Sequence, residues 1–163
     1  MQRLQRLCDA GLTHGGFYKH FESKDELLLE SLSEAFRDIG DTLVRVAIQW
    51  HPEAAWKAIV KAYLILEFCD HAERGCPLTA LVPELTRVDK RMRGQILRQL
   101  VNYEDRMLPF MPGRRAAEKE RSFFVIFSTM VGAIEIARML PGTAMREKGL
   151  ATVKAFSCPA FEF

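Results

Sequence analysis

Between Thr13 and Lys24 the chain gathers a hydroxyl, two imidazoles, a phenol and two ammonium groups around a pair of glycines: Thr13, His14, Gly15, Gly16, Tyr18, Lys19, His20 and Lys24. Tyr18 and His20 can hydrogen-bond phosphate oxygens, and Lys19 and Lys24 can neutralise them. A glycine inside a helix costs roughly 1 kcal/mol relative to alanine, so two in a row suggest that the missing side chains matter. Without a Cβ the backbone can come close to a groove wall or a phosphate. This is binding chemistry rather than bond-making. The four histidines (His14, His20, His51, His71) have no obvious nucleophile beside them, and there is no G-x-S-x-G, H-E-x-x-H or P-loop, so no enzyme is expected. Cys69, His71 and Cys76 match no zinc spacing and have no fourth ligand nearby, so neither a metal nor a cofactor is expected.

The elements that must hold these groups can be read from the same stretch. Arg3 to Asp9 is a short amphipathic helix with Leu4, Leu7 and Cys8 able to face a core. Ala10-Gly11-Leu12 makes the turn, with Gly11 able to take the left-handed conformation that stops a helix. Thr13 can cap a second helix, Thr13 to Phe21, anchored by Phe17 and Phe21 four residues apart on one face. Helix, tight turn and helix at this spacing is the form of a DNA-reading unit. The alternative is a Gly-Gly hinge between two core helices, with Tyr18 and His20 at its boundary. Ser23-Lys24-Asp25-Glu26 reads as a capping box opening a long helix to about Gln49, striped by Leu28, Leu32, Ala35, Phe36, Ile39, Leu43 and Val46. Lys24 then stands where unpaired N–H groups attract an anion.

Residues 10–28, AGLTHGGFYKHFESKDELL, resemble the DNA-binding signature of tetracycline-repressor-like (TetR/AcrR) transcriptional regulators. Glu73-Arg74-Gly75-Cys76-Pro77, followed by Leu81 and Glu84, is similar to a stretch found in part of that family. The resemblance implies an all-α protein: a helix-turn-helix head with the start of a connecting helix (residues 1–45), then a helical ligand-binding and dimerisation domain (residues 46–163). It implies a ligand-responsive repressor that binds a palindromic double-stranded DNA operator as a homodimer. Thr13 would cap the recognition helix and touch a phosphate. His14 and Gly15 would lie against base edges, Tyr18, Lys19 and His20 would hold the backbone, and Lys24 would grip a phosphate from the next helix. In the family a further helix precedes the motif and packs across it. Here Met1 stands just before the first motif helix, so the head is expected to be incomplete. An uncovered side chain of the size of Leu4 or Phe17 forgoes roughly 1.5–3 kcal/mol. The alternative function is therefore a helical dimerisation or small-molecule-binding module that does not bind DNA in this form.

Beyond the motif, helical periodicity continues and strand-like alternation is nearly absent. Pro52 suits the first turn of a helix carrying Trp56, Ile59, Val60, Tyr63, Leu64 and Phe68. Further helices are expected from about Leu78 to Leu85, Asp89 to Leu108, Ala116 to Leu140 and Thr143 to Ala155, with breaks at Arg74–Pro77, Pro109, Pro112-Gly113 and Pro141-Gly142. The closing FSCPAFEF reads as an irregular tail tucked down by its phenylalanines. At 163 residues and 48% hydrophobic content the chain can build a packed core, which excludes wholesale disorder. The net charge of +2 hides three blocks: about +2 over residues 1–20, −5 over 21–41 and +5 over Arg87–Arg121. Arg87, Lys90, Arg91 and Arg93, with Arg114 and Arg115, form either a second nucleic-acid surface or a solvated helix face. The first residues carry no signal-peptide stretch, and Ser122–Leu140 is interrupted by Glu135 and Arg138, so a cytoplasmic protein with no membrane partner is expected. Scattered cysteines without a C-x-x-C pair point to reduced thiols, and Cys69 and Cys76 read as buried rather than reactive.

Ser122 to Ile134 is apolar on nearly every face, as a helix buried on all sides would be. It suits either a dimer seam, with Phe124, Val131, Ile134 and Met139 at the interface, or the central helix of a monomeric bundle. Trp56, Tyr63, Phe68, Met107, Phe123, Phe127 and Met130 either line a ligand pocket or form plain core. No charged residue falls in that set, which favours a small apolar or aromatic effector.

Overall fold

In the computed structural model, residues 23–71, 75–79 and 88–160 are described, apart from the side chains of Lys24 and of residues 158–160. Thr13, His14, Gly15, Tyr18, Lys19 and His20, and the turn before them, lie outside the described residues. Every regular element among the described residues is helical. Ser23 opens the first, α1 (Lys24–Ala47): its Oγ accepts the Glu26 N–H at 3.1 Å. Leu32, Ala35, Phe36, Ile39 and Leu43 form the buried stripe, and Ala47 rather than Val46 extends it.

Pro52 opens a single tight turn, Pro52–Ala54, that leads into α2 (Ala55–Tyr63). The expected helix then breaks. Leu64 leaves helical geometry with ψ at 67°, Ile65 is extended, and its N–H bonds the Tyr63 carbonyl at 2.9 Å before α3 (Leu66–Asp70) begins. The apolar stripe crosses this break because both pieces face the same core, so periodicity alone does not reveal it. A helical turn at residues 77–79 follows Gly75-Cys76, and Thr79 Oγ1 donates to the Cys76 carbonyl at 2.8 Å.

Asp89 caps α4 (Lys90–Met107) by accepting the Met92 N–H at 2.8 Å, and Met92, Ile96, Tyr103 and Met107 fill its inner stripe. A tight turn, Leu108–Phe110, leads to α5 (Ala116–Met139). Gly113 has φ at 131°, and a Cβ there would meet the Glu118 Cβ at 2.8 Å, so this junction requires glycine. The Pro141-Gly142 break separates α5 from α6 (Thr143–Ala160). That last helix runs beyond Ala155, and Phe156 is exposed rather than tucked down, which corrects the irregular-tail expectation for residues 156–160.

Helix α1 lies along α4 and against α2, while α5 pairs with α6 and also contacts α2 and α3. Two polar ties reinforce the α1–α4 seam: Gln99 Nε2 donates to the Leu29 carbonyl at 3.1 Å, and Arg106 pairs with Asp41. The core runs between these layers, from Leu32 on α1 to Leu150 on α6.

Candidate functional site

All seven residues proposed from sequence as a pocket lining, Trp56, Tyr63, Phe68, Met107, Phe123, Phe127 and Met130, belong to the core. Their rings form a nearly continuous network. Tyr63 meets Phe68 edge-on at 5.8 Å and Phe127 at 6.3 Å, and Phe123 lies 4.5 Å from Phe127. Tyr103, which the sequence argument did not single out, completes the set at 5.4 Å from Phe127 and 5.5 Å from Phe36. Its signal was available: it continues the Met92, Ile96, Met107 stripe of α4.

This apolar network contains polar atoms that are not satisfied. Tyr63 and Tyr103 are 0% and 2% exposed; the Tyr103 hydroxyl makes no regular hydrogen bond within the chain, and the Tyr63 hydroxyl has only the Cys76 sulfur in reach. A buried unsatisfied group of this kind costs about 1–3 kcal/mol. The Tyr63 hydroxyl is turned toward the Cys76 thiol without closing a regular hydrogen bond, and Tyr103 lies within electrostatic reach of the same sulfur. Burial holds both phenols well above their ordinary acidity range, with the nearby Cys76 adding to the effect. Cys76, 1% exposed, is also pushed up by burial, against the lowering pull of Tyr63 and of the Leu78 and Thr79 N–H groups. Cys69 is raised for the same first reason. Both thiols are therefore buried and held protonated, the opposite of the accessible, positive setting that a reactive cysteine needs.

Arg138 borders this cluster. Its Nη1 donates to the Thr79 carbonyl at 2.8 Å and to Glu135 Oε1 at 2.6 Å, and its Nη2 donates to the Phe68 carbonyl at 2.7 Å. Its Nε is buried without a partner. In sequence Glu135 and Arg138 look like interruptions of an apolar run; in the fold they pair, and Arg138 fastens α5 to α3 and to the 75–79 turn. Arg146 adds a parallel tie from α6, donating to Asp70 Oδ1 at 2.7 Å.

The opposite side of α5 is open. Phe124, Ile136 and Met139 are 51%, 63% and 85% exposed, and Val125, Met145 and Phe156 are exposed as well. A Cβ added at Gly132, in the middle of this face, would meet nothing. Of the residues proposed for a dimer seam, Phe124 and Met139 lie on the open face, Val131 is half-buried and Ile134 points into the core. Within the single chain, then, α5 is not buried all round. By length and composition alone it could cross a membrane, whereas Glu135 and Arg138 had suggested otherwise; its inner side packs in the core.

An open groove of about 910 Å3 lies elsewhere, between His51–Lys57 and Pro109–Lys119. Of the proposed pocket residues only Trp56 touches it. Lys90, Arg91 and Arg93 stand on the exposed side of α4, and Arg115 is engaged by Glu118. Among the described residues no cluster of His, Cys, Asp and Glu could hold a metal ion. No protein-family model matches the chain, and no curated protein matches it.

Proposed function

We propose that the chain is a DNA-binding transcriptional regulator of the TetR/AcrR kind: a cytoplasmic, ligand-responsive repressor that binds a palindromic operator as a homodimer. The observation that carries this reading is the Thr13–Lys24 constellation, with phosphate donors and cations spaced around a Gly-Gly pair and joined directly to the capped start of α1. Thr13, Tyr18, Lys19, His20 and Lys24 hold the phosphate backbone, and His14 and Gly15 meet base edges. Two further features support it. The open apolar face of α5 and α6 suits a second copy, since a stable dimer interface resembles a core cut in half. The Tyr103–Phe36 contact and the Gln99 and Arg106 ties join the interior to α1, so an effector felt at Tyr103 has a physical route toward the head.

Selection from a random double-stranded DNA library, followed by titration at several salt concentrations, tests the proposal. Enrichment of an inverted repeat is the expected outcome. Lys24→Ala should weaken binding to all sequences and flatten the salt slope by about 1, whereas His14→Ala should change preference. No enrichment, together with sequence-independent binding only, would leave the dimerisation or small-molecule-binding module, which the open α5–α6 face and the interior cluster also fit.

A further inference from the structure

Arg114 and Arg115, which the sequence leaves between a nucleic-acid surface and a solvated face, part company in the fold. Arg115 turns its guanidinium to Glu118 Oε1, while Glu118 Oε2 accepts the Arg114 and Arg115 N–H groups. Arg114 gives Glu118 only its backbone N–H. Its guanidinium meets no carboxylate among the described residues, and the residue lines the open groove between His51–Lys57 and Pro109–Lys119. On the same wall Lys119 Nζ donates to the Pro109 carbonyl at 3.1 Å. A carbonyl dipole holds an ammonium in place without cancelling its charge. The facing wall carries Lys57, whose ammonium stands over the Trp56 ring, 5.4 Å from its centroid. Because Glu118 is answered by Arg115 from outside the groove, the lining sets Lys57, Arg114 and Lys119 against Glu53. A cleft with an excess of one sign focuses its field on the space between the walls.

That space is real. At about 910 Å3 it is as large as the sites that take a whole small molecule, which run from roughly 300 to 1,000 Å3. Between the cations the walls are apolar, with Pro52 and Ala54 on one side and Pro109, Met111 and Pro112 on the other. Prolines fix their own backbone, and Gly113 holds its turn at φ 131°, where a side chain would collide with Glu118. The walls therefore keep their shape when empty, and a ligand has little left to order.

We infer that this groove binds a small organic dianion with an apolar body, its negative charges held by Lys57 from one wall and by Arg114 and Lys119 from the other. A monoanion answers one wall at a time. A neutral molecule with the same body gains only the apolar contacts, and a cation is repelled. The site is separate from the aromatic interior, from which only Trp56 reaches it, and it does not depend on the repressor function.

Terephthalate, benzoate and benzyl alcohol share one ring and carry two, one and no negative charges at neutral pH. Phenyl phosphate places two charges on one group and so tests the same walls at a different reach. Calorimetric titration of the full chain at low ionic strength should show the better of the two dianions binding about fivefold tighter than benzoate, the yield of one further partly exposed ion pair. Benzyl alcohol should bind more weakly still, and added salt should shrink the differences. Lys57→Gln and Arg114→Gln should each lower dianion affinity about fivefold and leave benzyl alcohol unchanged. Arg114 is exposed, so its variant reads binding even if Lys57→Gln loosens α2. Lys61→Gln removes the same charge from α2 outside the groove, where the ammonium lies over Trp50, and should change nothing. Equal affinity for all four probes, or no binding of either dianion into the millimolar range, would overturn the inference. So would an equal loss in Lys61→Gln, because binding would then follow net charge. If Lys57→Gln and Arg114→Gln weakened binding to random duplex DNA but left the dianions untouched, these cations would belong to a nucleic-acid surface and the inference would fall. Operator selection bears on the repressor function alone, so the two proposals fail separately.

Discussion

The two sides of α5 are short of opposite things. Its inner side, with Phe123, Phe127 and Met130, is fully covered by hydrocarbon, yet it borders phenol hydroxyls that make no regular hydrogen bond. Its outer side, with Phe124, Ile136 and Met139, has no unsatisfied polar groups to answer for but leaves large apolar side chains in water. Each deficit points to a different missing partner. The inner one is a shortage of hydrogen-bond partners, the outer one a shortage of apolar cover. Under the proposed function, a single helix would face a ligand on one side and a second subunit on the other.

The sharpest way to break this comparison is to truncate one ring on each side. Phe127 touches Tyr63, Tyr103 and Phe123, so Phe127→Ala should cost about 3–5 kcal/mol in urea unfolding. Phe124→Ala, on the open side, should change the stability of the isolated subunit by no more than about 0.5 kcal/mol. If the two variants lost similar stability, the open face would already be packed within one chain.

The next effect belongs to assembly rather than folding. Ile136→Glu puts a charge on the outer stripe, where one chain alone hardly notices it. Sedimentation should show a dimer for the parent chain and a monomer for the variant at micromolar concentration, because an unpaired buried charge is costly at an interface. The far-ultraviolet helical signal of the variant should be unchanged. A variant that stays dimeric would move the seam away from this face.

How much of this could be read beforehand follows the type of signal. Caps and breakers are local chemistry, and Ser23, Asp89, Pro52 and Pro141-Gly142 mark element ends in the sequence as they do in the fold. The stripe of α1 was legible for the same reason. The Leu64–Ile65 break was not, because a kink that keeps both pieces against one core leaves the apolar spacing intact. Nor could sequence divide the middle of α5 into an inner and an outer side, since most positions from Phe123 to Ile134 are apolar; its neighbours decide which ones are covered. Tyr63, Cys76, Tyr103 and Arg138 come together across widely spaced segments, and no spacing rule joins them. The residues of the proposed helix-turn-helix are the reverse case: they are neighbours in sequence, and the reading placed on them comes from the motif alone.

The inner side should also announce itself in alkali. Tyr63 and Tyr103 sit above their ordinary value of 10.0, and Cys76 above 9.0, in each case first because of burial. The unfolded chain gives up these protons first. Their contribution to stability is therefore fully present below about pH 9, and it falls as the pH rises past 9 for the thiol and 10 for the phenols. Each group steepens the fall by about 1 kcal/mol per pH unit. Urea midpoints between pH 8 and 11 should drop steeply for the parent chain and less steeply for the Tyr63→Phe/Tyr103→Phe double variant. An equal slope in both would mean that the phenols ionise freely in the folded protein.

The smallest effect lies at the N-terminal end of α5 and runs the other way in pH. Glu118 Oε2 accepts the Arg114 N–H at 2.8 Å and the Arg115 N–H at 3.1 Å, while Oε1 takes the Arg115 Nε at 2.7 Å. These bonds, the Arg114 N–H first, hold the carboxyl down from 4.5 to about 2. A depressed value means that the stabilising anion is fully present above about pH 4.5 and is lost as the pH falls toward 2. Hydrogen exchange of the first turn of α5 should therefore accelerate between pH 4.5 and 2 in the parent chain, beyond the intrinsic chemical trend. In Glu118→Gln that acceleration should be absent, with the first turn already loosened at neutral pH. The site is solvent-exposed, so neither the alkaline slope nor the dimer should respond. If the variant disturbed either, the start of α5 would be coupled to both of its sides, and the independence of the two would fail.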